Sequence, residues 1–480
     1  MFIIKTRNMK RFVSNKLLLT VVSSSGIYGA YKYCTSTGRA LYNNTAACAE
    51  DSSKRVENRD PNVSVEQTTE GMQLKAVQLF FRHGARTPLK MVPILEEAKE
   101  VSYEPEFLLR RVPHTEIPVD VVSVRGDGPR PPSKIEGRYT LVKFKGGAHA
   151  GILTSLGKQQ MYELGTKYRA EYMDTINLLD KEYNPEHIYV RSTNMNRTVE
   201  SAQCVLAGIY GVQKFKGKNA AKIHVSNHES EIIYPNQRFC ETLRRMDRYL
   251  WKNEPDFPGV AQLTKELHDH YGYTPGEGKP KVDLALLRDH IHCREAHGLA
   301  VPRFMTKISA RLDDLVTKWL TNTLCGPPQE RHWMLKLSIG PLFHLIQKNI
   351  DDTIRGRSKY RMLLFSAHDS TIYPMLVALG VEESWPTYGS DIRVELWQDQ
   401  QQQHWVRIRY NGKDIIPHGR SQALITVEDF RDVTSSVGIS PEKWWCACQD
   451  RSLGPPEAAA STMVASKTGD TAAPLVPKGM

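Results

Sequence analysis

The chain has 480 residues, 40 % of them apolar and 24 % charged, with a formal charge of +11. That length exceeds one small domain, the apolar share is ordinary for a globular protein, and no apolar run approaches the roughly 18 residues that mark a membrane span. Residues 1–50 carry seven Lys or Arg against the single acid Glu50, so only +5 is left for the rest, enough to attract a small anion but without the dense basic tract of a nucleic-acid binder.

In chain order, residues 1–50 come first as a leader. It is acid-free up to Glu50, basic and rich in Ser and Thr, and it reads as a mitochondrial transit peptide. The somewhat apolar Leu17–Tyr31 keeps a secretory signal or a short uncleaved anchor as the alternative. Sequons at Asn43, Asn62 and Asn196 are three-residue matches and weigh little. Residues 51–71 are polar linker.

Three later segments share one layout. Lys75–Phe81 is a continuous apolar run that ends in Arg82-His83-Gly84-Ala85-Arg86-Thr87-Pro88. Ile188–Val190 leads into Arg191-Ser192-Thr193 and a helix that begins near Met195. Met362–Phe365 leads into His368-Asp369 and a helix from about Thr371. Apolar runs without alternation suit strands buried on both faces. Open α/β sheets bind ligands beyond the C-terminal ends of their strands, so the three polar clusters are expected to meet in one pocket.

The segments between these strands differ in character. Residues 206–345 hold amphipathic helical patterns separated by Pro/Gly loops, and they read as a mostly helical cap inserted into an α/β catalytic domain of residues 72–205 and 346–450. Residues 91–145 look like an irregular excursion near the site. Asp391–Gln398 and His404–Ile416 alternate and read as antiparallel edge strands, and Ser440–Gln449 as a last short helix. The tail, residues 452–480, is Ala/Pro-punctuated and poor in large apolars, the composition of a disordered segment. Eight cysteines in so long a chain suggest reduced thiols with one or two disulfides.

The residue types at the three strand ends suit a phosphate monoester. Its oxygens need several charged donors, and the planar fork of arginine holds two at once. Arg82, Arg86 and Arg191 supply three such forks, with His368 as a further donor. Arg197 reads instead as a supporting structural residue. His83, between two arginines, is the candidate nucleophile, and Asp369 is the acid placed to protonate an alkoxide leaving group. Guanidinium groups neutralise phosphoryl charge as Mg²⁺ does in kinases, so no metal or other cofactor is expected. The histidines and cysteine of Asp289–His297 are taken as chance residues of a cap helix rather than zinc ligands, although His297 is kept as a candidate to face the pocket.

The motif R-H-G-x-R-x-P at Arg82–Pro88 and the His368–Asp369 pair resemble the two signatures of the histidine acid phosphatase family, from about Lys75 to Cys448. Segments such as "YVRSTNMNRTVESAQCVLAG" and "WPTYGSDIRVELW" resemble in particular a mitochondrial subgroup that acts on lysophosphatidic acid. The resemblance implies an α/β histidine-phosphatase (phosphoglycerate-mutase-like) fold, with a mixed, mainly parallel sheet flanked by helices and an inserted cap. It implies His83 as phosphate acceptor, Asp369 as proton donor, and Arg82, Arg86, Arg191 and His368 as phosphate ligands. It further implies metal-free release of phosphate from a small anionic lipid. A monomer in transient contact with a membrane surface is expected. A phytase-like or broader phosphomonoesterase, and a non-catalytic phospho-ligand binding module, are the alternatives. The even mixture of charges in the cap ranks the phytase-like reading lower.

Overall fold

Strand β1, Gln73–Arg82, is buried along almost its whole length because both of its faces are covered by helices. This computed structural model describes residues 69–454, apart from 98–108, 127, 145–146, 216–219, 274–280 and 382–383. The leader therefore lies outside the described residues, as does the tail beyond residue 454.

The remaining strands are β2 (Val119–Ser123), β3 (Ile188–Ser192), β4 (Ala221–Val225), β5 (Met362–Ala367), β6 (Asp391–Gln398), β7 (His404–Tyr410), β8 (Lys413–Asp414) and β9 (Leu424–Thr426). They form one sheet in the order β2-β4-β3-β5-β1-β6-β7-β8, with β9 also on β7. The five strands from β2 to β1 are parallel, and β6 to β9 are antiparallel additions. Two of the parallel strands arise where none was expected. β2 lies in the excursion of residues 91–145, and β4 in the segment 206–345 read as cap. Both are as short as β3 but interrupted by polar residues, Asp120 in β2 and Lys222 and His224 in β4, so neither shows an unbroken apolar run.

Alternate residues of each central strand serve opposite layers. Phe80 and Phe365, stacked at 4.5 Å, join one core with Phe343, Ile346, Ile372 and Phe430. Those partners come from helices Gly340–Ile354, Asp369–Ala378 and Val427–Ser435. Leu79, Phe81, Val190 and Leu364 face the other core, built on helices α1 (Ser155–Tyr168) and α2 (Asn196–Tyr210). Truncating Phe80 to alanine would open a cavity between sheet and helices at a cost of about 3–5 kcal/mol.

Helices α3 (Leu284–Ala296) and α4 (Arg303–Cys325) pack with Val260–Tyr271 around a separate core of Leu263, Leu267, Leu287, Ile291, Met305 and Leu312. A neighbouring cluster contains the Cys240–Cys448 disulfide, which ties the start of helix Glu241–Lys252 to the C-terminal helix Pro441–Ala447. Cys204, Cys293 and Cys325 are buried free thiols.

Candidate active site

Register brings the strand ends together. Arg82 of β1 stands opposite Ala367 of β5, and Ser192 of β3 opposite Ser366. The residues that follow each strand therefore emerge at the same edge. The loop after β1 then runs flush against α1. A Cβ on Gly84 would lie 2.3 Å from the carbonyl oxygen of Gly157, so no side chain fits there. Thr154, the N-cap of α1, accepts from Gly157 N and donates to Ala85 O, while Gln160 accepts from Ala85 N. Ser201 of α2 accepts from Gly84 N at 3.3 Å.

His83 is 1 % exposed. Its Nδ1 donates to Gly84 O at 2.8 Å, which fixes the tautomer and leaves Nε2 as the lone-pair nitrogen. Burial, then the charges of Arg197, Arg86 and Arg82, hold the ring's pKa well below the ordinary histidine value, so it is neutral. His368, whose ring meets that of His83 edge-on at 5.5 Å, is held neutral for the same reasons, and its Nε2 lies 2.9 Å from Thr193 Oγ1.

Arg82 donates Nη1 to Pro386 O at 2.6 Å, pairs Nη2 with Asp369 Oδ2 at 2.7 Å, and lies over the ring of Tyr388. Asp369 also accepts from the indole N–H of Trp385 at 3.2 Å. Burial alone would raise the carboxyl's pKa, but Arg82 and Arg86 outweigh it and hold the group far below the usual carboxylate range. Arg86 reaches the cap, where Asp289 of α3 accepts from both of its Nη atoms, at 2.8 and 3.2 Å, and from Leu89 N at 3.1 Å.

The two remaining arginines are placed otherwise than expected. Arg191 was expected to bind phosphate, but it pairs with Glu231 at 3.0 Å, both side chains buried, and Glu231 also accepts from Ile232 N and Ile233 N. Its charge is matched, as are those of Arg82 and Arg86, but it is not among the largest charges acting on His83 or His368. Strand alternation puts it on the same face as Tyr189, which packs against the core opposite α2. Arg197, expected to be structural, sits at the start of α2. It is 2 % exposed, and its Nε and Nη1 are buried without a hydrogen-bond partner among the described residues. Its charge acts strongly on both His83 and His368. Arg82, Arg86, Arg191 and Arg197 each keep a buried Nε without a hydrogen-bond partner among the described residues, but the arginine charges that act on both histidines are those of Arg82, Arg86 and Arg197, which makes these three the donor set for an anion between the rings.

The histidine cluster of the cap disperses. His292 Nε2 meets Asp313 at 3.1 Å, His297 is tied to Thr154 Oγ1 and Cys293 O, and Cys293 Sγ contacts Tyr388 OH at 3.1 Å. His297, a candidate to face the pocket, is thus bound to the cap of α1. Among the described residues, no group of three or more His, Cys, Asp or Glu is placed to hold a metal ion.

A cavity of about 190 Å³ opens over these groups. Arg82, Arg86, Asp289 and Asp369 line its polar part together with Lys90, Arg138, Arg238 and Arg288; Leu89, Ile135, Val142, Trp251, Leu286, Leu320, Leu324 and Trp385 form an extensive apolar wall. Asp289 and Trp385 could not be singled out from sequence, since one is an acid on an amphipathic helix and the other a tryptophan in a loop.

The chain is similar to known proteins in sequence and in fold. Residues 73–272 and 312–411 match the family model described as the histidine phosphatase superfamily (branch 2). Lysophosphatidic acid phosphatase type 6 of Mus musculus is 34 % identical over 402 residues, 82 % of this chain and 92 % of that protein. The protein of the same name from Homo sapiens is 32 % identical over 441 residues, 90 % of this chain and 97 % of that one. The solved structure of Hafnia alvei phytase with tartrate superposes with a TM-score of 0.51 at 15 % identity, covering 80 % of this chain and all of that one, a likeness of fold.

Proposed function

The chain belongs to branch 2 of the histidine phosphatase superfamily and is a phosphatase, and we propose that it hydrolyses lysophosphatidic acid to monoacylglycerol and phosphate through a phosphohistidine at His83. The observation that carries this reading is one cavity lined both by Arg82, Arg86 and Asp369 of the anion site and by a broad apolar wall. A phosphate headgroup takes the first and an acyl chain the second. Lys90, Arg138, Arg238 and Arg288 also line the cavity, so the breadth of the apolar wall, and not a shortage of cations, is what favours a lipid over a polyphosphorylated substrate.

The residues divide the work as follows. Arg82, Arg86 and Arg197 hold the three non-bridging oxygens and neutralise charge that spreads over them. The lone pair of His83 Nε2 attacks phosphorus, and the bond to the glycerol oxygen breaks. Asp369, protonated, gives its proton to that oxygen, which leaves as the alcohol. Water then attacks the phosphorus–nitrogen bond, Asp369 takes the water's proton, and His83 returns as a neutral imidazole with inorganic phosphate released.

The acid-free leader supports a mitochondrial location, and the Cys240–Cys448 disulfide favours an oxidising space within the organelle over its reducing matrix. A secretory route fits the same disulfide, and fractionation of tagged full-length protein separates the two. We further propose a monomer that meets the membrane transiently to collect its substrate. The deciding experiment is phosphate release from a panel of lysophosphatidic acids, inositol phosphates and sugar phosphates. The reading predicts the highest kcat/KM for the lipids, and preference for an inositol polyphosphate would sink it.

A further inference from the structure

Three guanidinium groups, Arg82, Arg86 and Arg197, share this site with two carboxylates. Asp369 faces Arg82 at 2.7 Å and Asp289 faces Arg86 at 2.8 Å. With both acids ionised the site carries one excess positive charge, and a phosphate monoester arrives as a dianion. The two carboxylates are not equally placed to answer that mismatch. Asp289 is held by both Nη atoms of Arg86 and by Leu89 N, on a helix away from the strand ends. Asp369 accepts from the Trp385 indole at 3.2 Å and from Ser370 N at 2.8 Å, but the cation it pairs with is Arg82, which an incoming phosphate would engage for itself.

We propose that Asp289 is a positioning residue that couples anion binding to proton uptake: by cancelling the charge of Arg86, it makes the arrival of a phosphate dianion drive a proton onto Asp369. The general acid is then loaded by its own substrate. This rests on the proposed role of Asp369 as proton donor, and it resolves a conflict in that role. Asp369 beside free Arg82 is an ionised carboxylate with no proton to give. Once phosphate takes Arg82, the carboxylate faces an anion instead, and protonation relieves the repulsion.

The other groups facing Asp369 and Asp289 do not substitute for this device. His83 and His368 are buried beside three arginines and held neutral. Burial pushes Tyr388 OH up and the Cys293 thiol up to about 12, so both stay protonated. Arg288 of α3 is matched by Asp313 at 2.6 Å, and His292 shares that acid. Lys90 and Arg238, half-buried, and Arg138, exposed, line the same cavity.

Sulfate is a suitable probe because it is a fixed dianion and carries no leaving group, so a wrong lipid assignment leaves the experiment intact. Its binding is titrated by calorimetry from pH 4.5 to 6.5 in buffers of different ionisation heat. Wild type is expected to take up close to one proton per sulfate, with affinity falling toward tenfold per pH unit. Asp369→Asn should abolish the uptake. Asp289→Asn should bind sulfate more tightly at pH 6.5 with little pH dependence, and Asp289→Glu should restore the uptake. On an alkyl phosphate, Asp289→Asn should lower kcat and KM together. Absence of uptake in wild type overturns the proposal, and so does uptake that survives in Asp369→Asn, which would assign the proton to a histidine. Weaker sulfate binding with the wild-type slope in Asp289→Asn also overturns it, because Asp289 would then only orient Arg86. The wild-type and Asp369→Asn titrations decide the coupling even if Asp289→Asn does not fold.

Discussion

The ring of His83 and the carbonyl of Gly84, 2.8 Å apart, determine which nitrogen is nucleophilic. Because Nδ1 carries the proton to that carbonyl, Nε2 keeps the lone pair, and burial among arginines prevents its protonation. His83→Ala is expected to keep its fold and lose turnover. In wild type, brief reaction with an aryl phosphate should leave an acid-labile, alkali-stable phosphoenzyme bonded at Nε2. Substantial phosphate release by the folded mutant, or phosphate found at Nδ1, would contradict the assignment.

The two arginines near β3 should respond to truncation in different ways. Arg197→Ala removes buried donors with no protein partner, and a charge-assisted hydrogen bond is worth about 1.5–3 kcal/mol, so phosphate and sulfate inhibition should weaken about ten- to hundredfold. Arg191→Ala instead strands Glu231, 1 % exposed, without its counter-ion, and should cost about 3–5 kcal/mol of stability. The fraction that folds should bind phosphate nearly as wild type does. Inhibition constants and denaturant midpoints for both variants check this; the reverse pattern would return Arg191 to the anion site.

The placement of these two arginines marks where the sequence ceased to be legible. The three strand ends could be read because strands buried on both faces appear as unbroken apolar runs, and because parallel strands end on one side. Arg82, His83, Arg86, His368 and Asp369 follow directly from that. Arg191 and Arg197 sit six residues apart, and their separation depends on strand alternation and on the direction of α2, neither of which composition encodes. Asp289 lies some 200 residues from Arg86, on a helix whose charged residues look alike until the cap is folded. The short β2 and β4 escaped because Asp120, Lys222 and His224 interrupt them, so they lack the unbroken apolar run that marked the other parallel strands.

Acid should destabilise the ligand-free protein. His83 and His368 are buried and held well below 6.5, and burial lowers His290 to about 4. Between the unfolded value near 6.5 and these lowered values, the unfolded chain binds more protons than the folded one, so stability falls as pH falls. Each such histidine contributes a loss of about 1.4 kcal/mol per pH unit in that window. Melting temperature measured from pH 7 to pH 5 should decline steadily and should be partly restored by sulfate. A flat profile would mean that the buried rings are not held neutral.

Asp369 gives the sharpest test of the reaction. Protonating the leaving oxygen matters when that oxygen leaves poorly, as a glycerol alkoxide does, and little when it leaves well, as a nitrophenolate does. Asp369→Asn keeps the size of the side chain and a donor toward the cavity, but it has no proton to transfer. General acid catalysis is worth typically 10²–10⁴-fold, so turnover of lysophosphatidic acid should fall by about that factor while phosphorylation of His83 by an aryl phosphate proceeds. The substitution also releases Arg82 from its 2.7 Å ion pair, which should tighten phosphate binding and lower KM for both substrates. The two effects separate the roles: a proton donor gives a loss in kcat confined to the poor leaving group, whereas a purely orienting carboxylate gives equal losses on both. Steady-state rates of the variant on the lipid and on the aryl ester, compared with wild type, distinguish them. Equal proportional losses would move the proton donor to another acid lining the cavity, and Asp289, held by Arg86 and Leu89 N, would be the first to examine.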